Sequence, residues 1–406
     1  VSVDEGHVLS GLRVVEYGDF VSAPYCAKLL ADLGAEVLKI EPPRGDTARQ
    51  RGPFPGDRPH PERSGLFLYL NTNKRGVTLD VSTATGRAIL DRLLADADIF
   101  VHNQPPAALP GLGLDYPTLA AKHPRLIVTA ISPFGQTGPY RDYKAYDITT
   151  AAAGGLSLGI GDPQRAPLKL PLTQSGIQAG LAAAIASLAA VFARDATGRG
   201  QAIDVAEADV WATFHTGVGV VAWVFSGRVR KRSGHRLLGL PYPHTVLPCK
   251  DGYVALQASE RRQWERFIEM IGSPEWAKSP RYQNRLANNE QYADELDALL
   301  APWLMARTKD EIFAICREYK IAGAPLKTVE EVVHDEQLRE RDFFVQIDSP
   351  ETGPLTYPGL PFTFSEVPWK RSRRAPRLGE HNDAVYAEQL GYTPRQLTEL
   401  RQVGVI

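Results

Sequence analysis

The stretch LNTNKRGVTLD sets Asn71, Asn73, Lys74 and Arg75 on a turn immediately before a β-branched run. Two carboxamides, an ammonium and a guanidinium can hold an anionic phosphate by charge-assisted bonds, with the amides meeting a ribose or an adenine. Taken alone, the same turn reads as a solvated basic turn. Asn103 ends a second apolar run, DIFVHN, and Ser132 to Tyr140 (SPFGQTGPY) carries Gly135 and Gly138, whose backbone can approach a ligand closely or simply turn. His235 and His244 flank SGHRLLGLPYPH with no serine or cysteine motif beside them, and read as loop histidines. Glu207 and Asp209 in VAEAD stand where first-turn carboxylates stabilise a helix dipole.

Several chemistries are missing. No G-x-G-x-x-G follows the first predicted strand and no G-x-x-x-x-G-K-[ST] occurs, which removes a nicotinamide dehydrogenase and a P-loop nucleotidase. Cys26, Cys249 and Cys316 lie far apart without metal-ligand spacing, so neither a metal site nor a disulfide framework is read, and a cytoplasmic setting is expected. Between Asp162 and Asp195 there is no Asp or Glu at all. That gap spans the Ala-rich run Gly176 to Ala193, which grazes the lower length limit of a membrane span. Ala and Gly dominate it and it contains Gln178 and Ser187, so it predicts a closely packed buried helix.

The elements that must position these residues alternate. LRVVEYG, EVLKIE, GVTLDV, DIFVHN and RLIVTAIS read as strands, separated by the helical patterns APYCAKLLADLGA, TATGRAILDRLLADA and TLAAKHP. Alternation of this kind predicts an α/β fold with a mostly parallel sheet, whose ligands sit at the carboxyl ends of strands. Pro42 to Ser64, rich in Pro, Gly and charge, reads as a long surface loop. The basic, Gly-containing segment from Phe225 to Pro243 marks a domain boundary, and the last sixty or so residues read as loops and a terminal helix. A chain of 406 residues exceeds a single core, and 46 basic against 47 acidic residues argue against a nucleic-acid or membrane-surface binder. The N-terminal stretch VSVDEGHVLSGLRVVEYG has neither the basic start nor the apolar run of a signal peptide. A small molecule or another protein chain is the expected partner.

These pieces also occur together. LSGLRVVEYGDFVSAPYCAKLLADLGAEVLKIEPP, LNTNKRGVTLDV, FVHNQPPAALPGLGLDY, SPFGQTGPYRDYKAYDITTAAAGG, ARDATGRGQAIDVAEAD and PRLGEHNDAVYAEQLGYT resemble, in that order, the class III (family III) CoA-transferases, which include formyl-CoA:oxalate and carnitine CoA-transferases. The resemblance implies a large Rossmann-like domain made from both chain ends (1–225 and 331–406), a smaller α+β domain between them (226–330), and two subunits interlocked like links of a chain. It also implies a coenzyme A thioester as substrate with no permanently bound cofactor. In such enzymes an aspartate attacks the thioester to form a mixed anhydride, the CoA thiolate converts it to an aspartyl thioester, and the incoming acid reverses the sequence.

The family's aspartate stands four residues before a Gly in a segment like P-x-x-D-x-x-x-G-L-x-A-A, and alignment on Gly180-Leu181 puts Gly176 there. Asn71, Asn73, Lys74, Arg75 and Asn103 match the CoA-binding region, whereas Pro42, Gly111 and Pro133 stand where family members carry cations. Related α-methylacyl-CoA racemases use a histidine before the Asp of a YD motif; here that residue is Tyr146, followed by Asp147. The expectation is a non-catalytic subunit of a heteromeric CoA-transferase, resembling the aspartate-lacking subunit of succinyl-CoA:benzylsuccinate CoA-transferase. A paralogous partner would carry the aspartate, and CoA would move from a donor such as succinyl-CoA to a dicarboxylic acid. The alternatives are a CoA-ester lyase or isomerase using Asp147 or Glu207, and a CoA-binding scaffold without turnover.

Overall fold

The computed structural model describes residues 7–229, 231–367 and 373–406. Its N-terminal half alternates β1 (Arg13–Tyr17), α1 (Ser22–Asp32), β2 (Glu36–Glu41), α2 (Gly65–Leu70), β3 (Arg75–Thr78), α3 (Ala84–Leu94), β4 (Ile99–His102), α4 (Leu109–Leu112), α5 (Tyr116–Lys122) and β5 (Ile127–Ser132). Then follow α6 (Asp147–Ala153), α7 (Gln174–Thr197), β6 (Ala202–Ala206), α8 (Glu207–Val210) and α9 (Gly217–Ser226). The six strands form one parallel sheet in the order β3-β2-β1-β4-β5-β6. This is the doubly wound order, with its reversal between β1 and β4, the place where sheets of this kind take their ligands at the carboxyl ends. The near-continuous apolar runs of β4 and β5 are buried on both faces, as central parallel strands require.

One core lies on the α3, α4 and α5 side, where Leu79, Ile89, Phe100 and Leu126 meet Val385, Tyr386 and Leu397 from the chain's end. The other packs α1 against α7. There Ala23, Cys26 and Ala27 face Ala179, Ala183 and Ala184. A Cβ on Gly180 would come within 2.7 Å of the Ser22 carbonyl oxygen, so the close approach of the two helices requires glycine. α7 is long and apolar enough by length and composition to cross a membrane, yet its small-residue face is part of this core.

The chain divides into two compact units, 1–156 with 170–228 and 340–406, and 157–169 with 229–339. In the first, the C-terminal stretch closes the β3 edge: the Tyr386 hydroxyl donates to the Thr78 carbonyl, and the Thr78 N–H donates to the Asn382 side chain. It also holds an antiparallel hairpin, β10 (Phe344–Ile347) with β11 (Leu355–Pro358), where the sequence read only loops before the last helix. That helix is α16 (Pro394–Gln402). The second unit is an antiparallel sheet of β7 (His244–Cys249), β8 (Gly252–Gln257) and β9 (Ala322–Pro325), packed in one core with α10 (Arg261–Met270), α12 (Ala293–Met305) and α13 (Lys309–Glu318), while α11 (Arg285–Gln291) leads into α12. Two short helices, α14 (Val329–Val333) and α15 (Glu336–Glu340), follow. Residues 157–169 join this unit because the Arg232 guanidinium donates to the carbonyls of Leu158, Asp162 and Arg165.

Candidate functional site

The loops leaving β1 and β4 meet at the reversal of strand order. Asn103 fastens them: its side-chain oxygen accepts from the Asp19 N–H at 2.9 Å, while its amide donates to the Asp19 carbonyl at 2.7 Å and the Ser22 hydroxyl at 3.1 Å. Phe20 has a positive φ of 65°, so the backbone at the crevice is held in a conformation that a bulky side chain adopts only under constraint. Asn103 is thereby a scaffold of the crevice. Beside it, His102 is buried, and neither ring nitrogen has a hydrogen-bond partner among the described residues. Burial pulls its pKa down to about 4, so the ring is neutral at neutral pH.

Behind these loops lies a buried ion network. Lys39 Nζ contacts Glu16 Oε1 and Asp46 Oδ2, both at 2.8 Å, and the Gly18 carbonyl at 3.1 Å. Lys74 Nζ takes the other Glu16 oxygen at 2.7 Å, the Pro24 carbonyl at 2.7 Å and Asn71 Oδ1 at 2.9 Å. Arg49 grips Glu41 through two nitrogens at 2.7 and 2.8 Å and lies over the Phe67 ring. Asp46 and Arg49 are only 2% exposed, so the first part of the stretch from Pro42 to Ser64 is drawn inward, whereas residues 50–61 lie at the surface as their composition suggests. Charges taken this far from water persist only when paired, and the start of the loop is held inward by its ion pairs. Burial pulls Lys74 down to about 8, against the Glu16 carboxylate and with the help of the Lys39 ammonium.

The five predicted nucleotide contacts therefore have unlike surroundings. Asn71 and Lys74 are buried, and all three ammonium donors of Lys74 are matched inside the protein. The solvated-turn reading does not fit them. Asn73, at φ 65°, donates to Asp32 Oδ1 at 2.6 Å and accepts from the Arg373 N–H at 2.6 Å, tying the turn to the returning C-terminal stretch. Arg75 opens β3 half-buried, paired with Leu38 of β2. Of the three positions where a cation was expected, Gly111 borders a cleft of about 510 Å3 that Arg87 and Lys122 also line. The sequence reading passed over both of those cations. The carbonyl of Pro133 accepts from the Ala208 N–H, and Pro42 accepts from Gly45 in a turn. His235 lies 3.5 Å from Asp297, and His244 begins β7, both in the smaller unit.

The start of α7 is closed where an aspartate would stand. A Cβ at Gly176 would lie 2.9 Å from Val21 Cγ1 and 3.0 Å from its Cβ, so any side chain there requires α1 or α7 to shift. Next to it, the Ser175 N–H donates to Asp147 Oδ1 at 2.6 Å. The Ser175 hydroxyl donates to the Asp147 carbonyl at 3.1 Å and accepts from Trp211 Nε1 at 2.8 Å. Glu207, read from sequence as a dipole-stabilising carboxylate, opens a helix of only four residues and is half-buried at this same corner. Its Oε2 accepts from the Thr150 hydroxyl at 3.2 Å. Burial pushes its pKa up to about 7; the Thr150 bond opposes that rise and the Asp147 charge adds to it. Only the docking of α6, which brings Thr150 and Asp147 against it, reveals this environment. Tyr146, where racemases carry histidine, is 81% exposed.

The sequence profile described as CoA-transferase family III matches residues 9–382. The chain is 32% identical to the succinyl-CoA:(R)-benzylsuccinate CoA-transferase subunit BbsE of Thauera aromatica, over 99% of this chain and 98% of that one. It is 31% identical to the succinyl-CoA–D-citramalate CoA-transferase of Chloroflexus aurantiacus, over 98% of each. A CAIB/BAIF family protein from Brucella suis superposes with a TM-score of 0.85 at 31% identity, covering 95% of this chain and 100% of that one.

Proposed function

The chain belongs to CoA-transferase family III, and from that premise we propose that it is the subunit without the acyl-accepting aspartate in a heteromeric enzyme. In this reading CoA moves from succinyl-CoA to a dicarboxylic acid, the substrate pairing named for its relatives. One observation carries the proposal: position 176 is glycine, packed so closely on Val21 that the helix start is shaped around the absence of a side chain. Acyl transfer in this family needs a nucleophile, and glycine offers none.

A partner chain is supported by exposed apolar surface. No residue of α9 is buried; Val218, Trp223, Val224 and Phe225 are at least 60% exposed, and on α7 Phe192 is 81% exposed. Contiguous apolar surface of this kind marks an interface. We propose an interlocked pair in which a paralogous chain covers these helices and brings the aspartate. Asn103 would shape the CoA crevice, Asn71 and Lys74 would support it from behind, and Asn73 and Arg75 would stand nearer the nucleotide. The three cysteines are all buried and unpaired, which suits a cytoplasmic setting.

The test is to trap the acyl-enzyme with hydroxylamine during turnover and map the modified peptide. The adduct is expected on the partner's aspartate alone. A hydroxamate on any peptide of this chain contradicts the reading.

A further inference from the structure

We propose that the open face of the smaller unit's sheet is a binding site for a short-chain organic acid, with His244 and Gln257 taking the carboxylate and a floor of small side chains taking the hydrocarbon body. The inference deepens the family reading at one point, that an organic acid is a substrate to be held; the site itself is argued from the smaller unit alone.

Strand alternation gives this sheet two unlike faces. Leu247, Cys249, Val254 and Leu256 enter the core shared with α10, α12 and α13. The opposite face carries two cross-strand rows, Val246 with Ala255 and Ala324, and His244 with Gln257 and Ala322. An antiparallel face left to water normally alternates to polar residues, yet in these rows only His244 and Gln257 are polar. The segment before β7 extends the face: the Val246 N–H donates to the His235 carbonyl and the Leu237 N–H to the His244 carbonyl, both at 3.1 Å. Both rows border a cavity of about 640 Å3, a size that suits a small molecule.

Nitrogen-bearing side chains mark one side of that cavity. His235, Arg236, His244 and Gln257 line it, and no Asp or Glu does so among the described residues. Asp294 and Asp297 pair with Arg236 at Nη2, while its Nε is buried without a hydrogen-bond partner. His244 Nδ1 is likewise shut off from water and unpartnered. A buried nitrogen left unpaired weakens the fold, and a bound acceptor recovers that loss. Gln257 gives one amide hydrogen to Ser259 Oγ at 3.1 Å and keeps the other. Donors gathered without a carboxylate among them suit an anion, and Val246, Ala255, Ala322 and Ala324 leave room above the strands for methylene groups. A carboxylate on a short hydrocarbon chain has both halves.

Succinate titrated into the full chain by calorimetry tests this, with succinamide, its uncharged diamide, as the control. We expect succinate to bind and succinamide to bind at least roughly 10-fold more weakly, because hydrogen bonds to a charged acceptor are the stronger. His244→Phe keeps the bulk of the ring and removes its nitrogens, and should weaken succinate at least roughly 10-fold. His244→Asn, whose amide nitrogen can stand near the position of Nδ1, should recover most of that loss. A histidine that merely filled space would be replaced better by phenylalanine than by asparagine. In nitrogen-15 NMR the His244 imidazole signal, identified by its loss in the asparagine variant, should shift on addition of succinate. Equal binding of the two probes, unchanged affinity in the phenylalanine variant, no recovery with asparagine, or a His244 signal that stays in place overturns the inference. A separate CoA titration distinguishes the failures. A chain that binds CoA and not succinate overturns this site alone, whereas one that binds succinate and not CoA overturns the family reading of the crevice and leaves this site standing.

Discussion

A Lys74→Met chain should lose about 3–5 kcal/mol of folding stability, because removing one member of a buried ion pair leaves its partner's charge uncompensated. Lys74 Nζ is the donor to Glu16 Oε2, the Pro24 carbonyl and Asn71 Oδ1, all inside the protein. Methionine fills the stem's volume and satisfies none of them. Lys39 still faces Glu16 Oε1, so the carboxylate is not wholly abandoned, and the lower end of the range is expected to hold. Adding Glu16→Gln should recover part of the loss, since coupled members of one network are not additive. Urea denaturation followed by circular dichroism reads both. A residue that served only to bind a phosphate would instead raise the KM for the CoA ester with the denaturation midpoint unmoved, and that outcome contradicts the buried-network assignment.

The second large effect is on assembly. Val218 and Phe225 lie seven residues apart on α9 and are 87% and 86% exposed. Val218→Asp with Phe225→Asp puts two carboxylates on one helical face, where an interface core would have to desolvate them without partners. The doubly substituted chain is expected to bind its partner at least roughly 1000-fold more weakly, equivalent to about 4 kcal/mol, and to sediment as a single chain. Its circular dichroism should match the unsubstituted protein, since neither side chain is buried in the chain itself. Unchanged sedimentation in the presence of the partner would show that α9 is not the contact.

What the sequence made legible follows from which forces are local. The strand EVLKIE lies at Glu36–Glu41 as read, because β-branched residues bounded by Gly34 and Pro42 mark a strand without reference to the rest of the fold. The Ala-rich run is a packed helix because small residues permit the approach to α1 that Gly180 requires. The order of the strands is set by crossovers between distant segments, and only the class of sheet could be inferred. The stretch from Pro42 to Ser64 is at the surface over residues 50–61 as read, but its start misled because composition registers charge and not its pairing: Asp46 and Arg49 are drawn inward by Lys39 and Glu41, which lie on a strand. The hairpin of β10 and β11 was missed because four-residue strands among polar neighbours carry little periodicity. At the candidate site, Gly176 could be located by alignment, but its contact with Val21 depends on helix packing. Glu207 was named from the sequence as a first-turn carboxylate and as an alternative base, but its environment was not legible, since a carboxylate at a helix start is ordinary until Thr150 of α6 bonds to it.

The central claim is that this chain contributes fold and crevice while another contributes the acyl-accepting carboxylate. It is tested most directly by measuring CoA transfer from succinyl-CoA to a dicarboxylic acid with three preparations: the chain alone, the chain assembled with an aspartate-bearing paralogue, and that assembly with the paralogue's aspartate changed to alanine. The account predicts transfer in the second preparation at least roughly 1000-fold above the other two. Transfer by the chain alone at the rate of the complete assembly would contradict it.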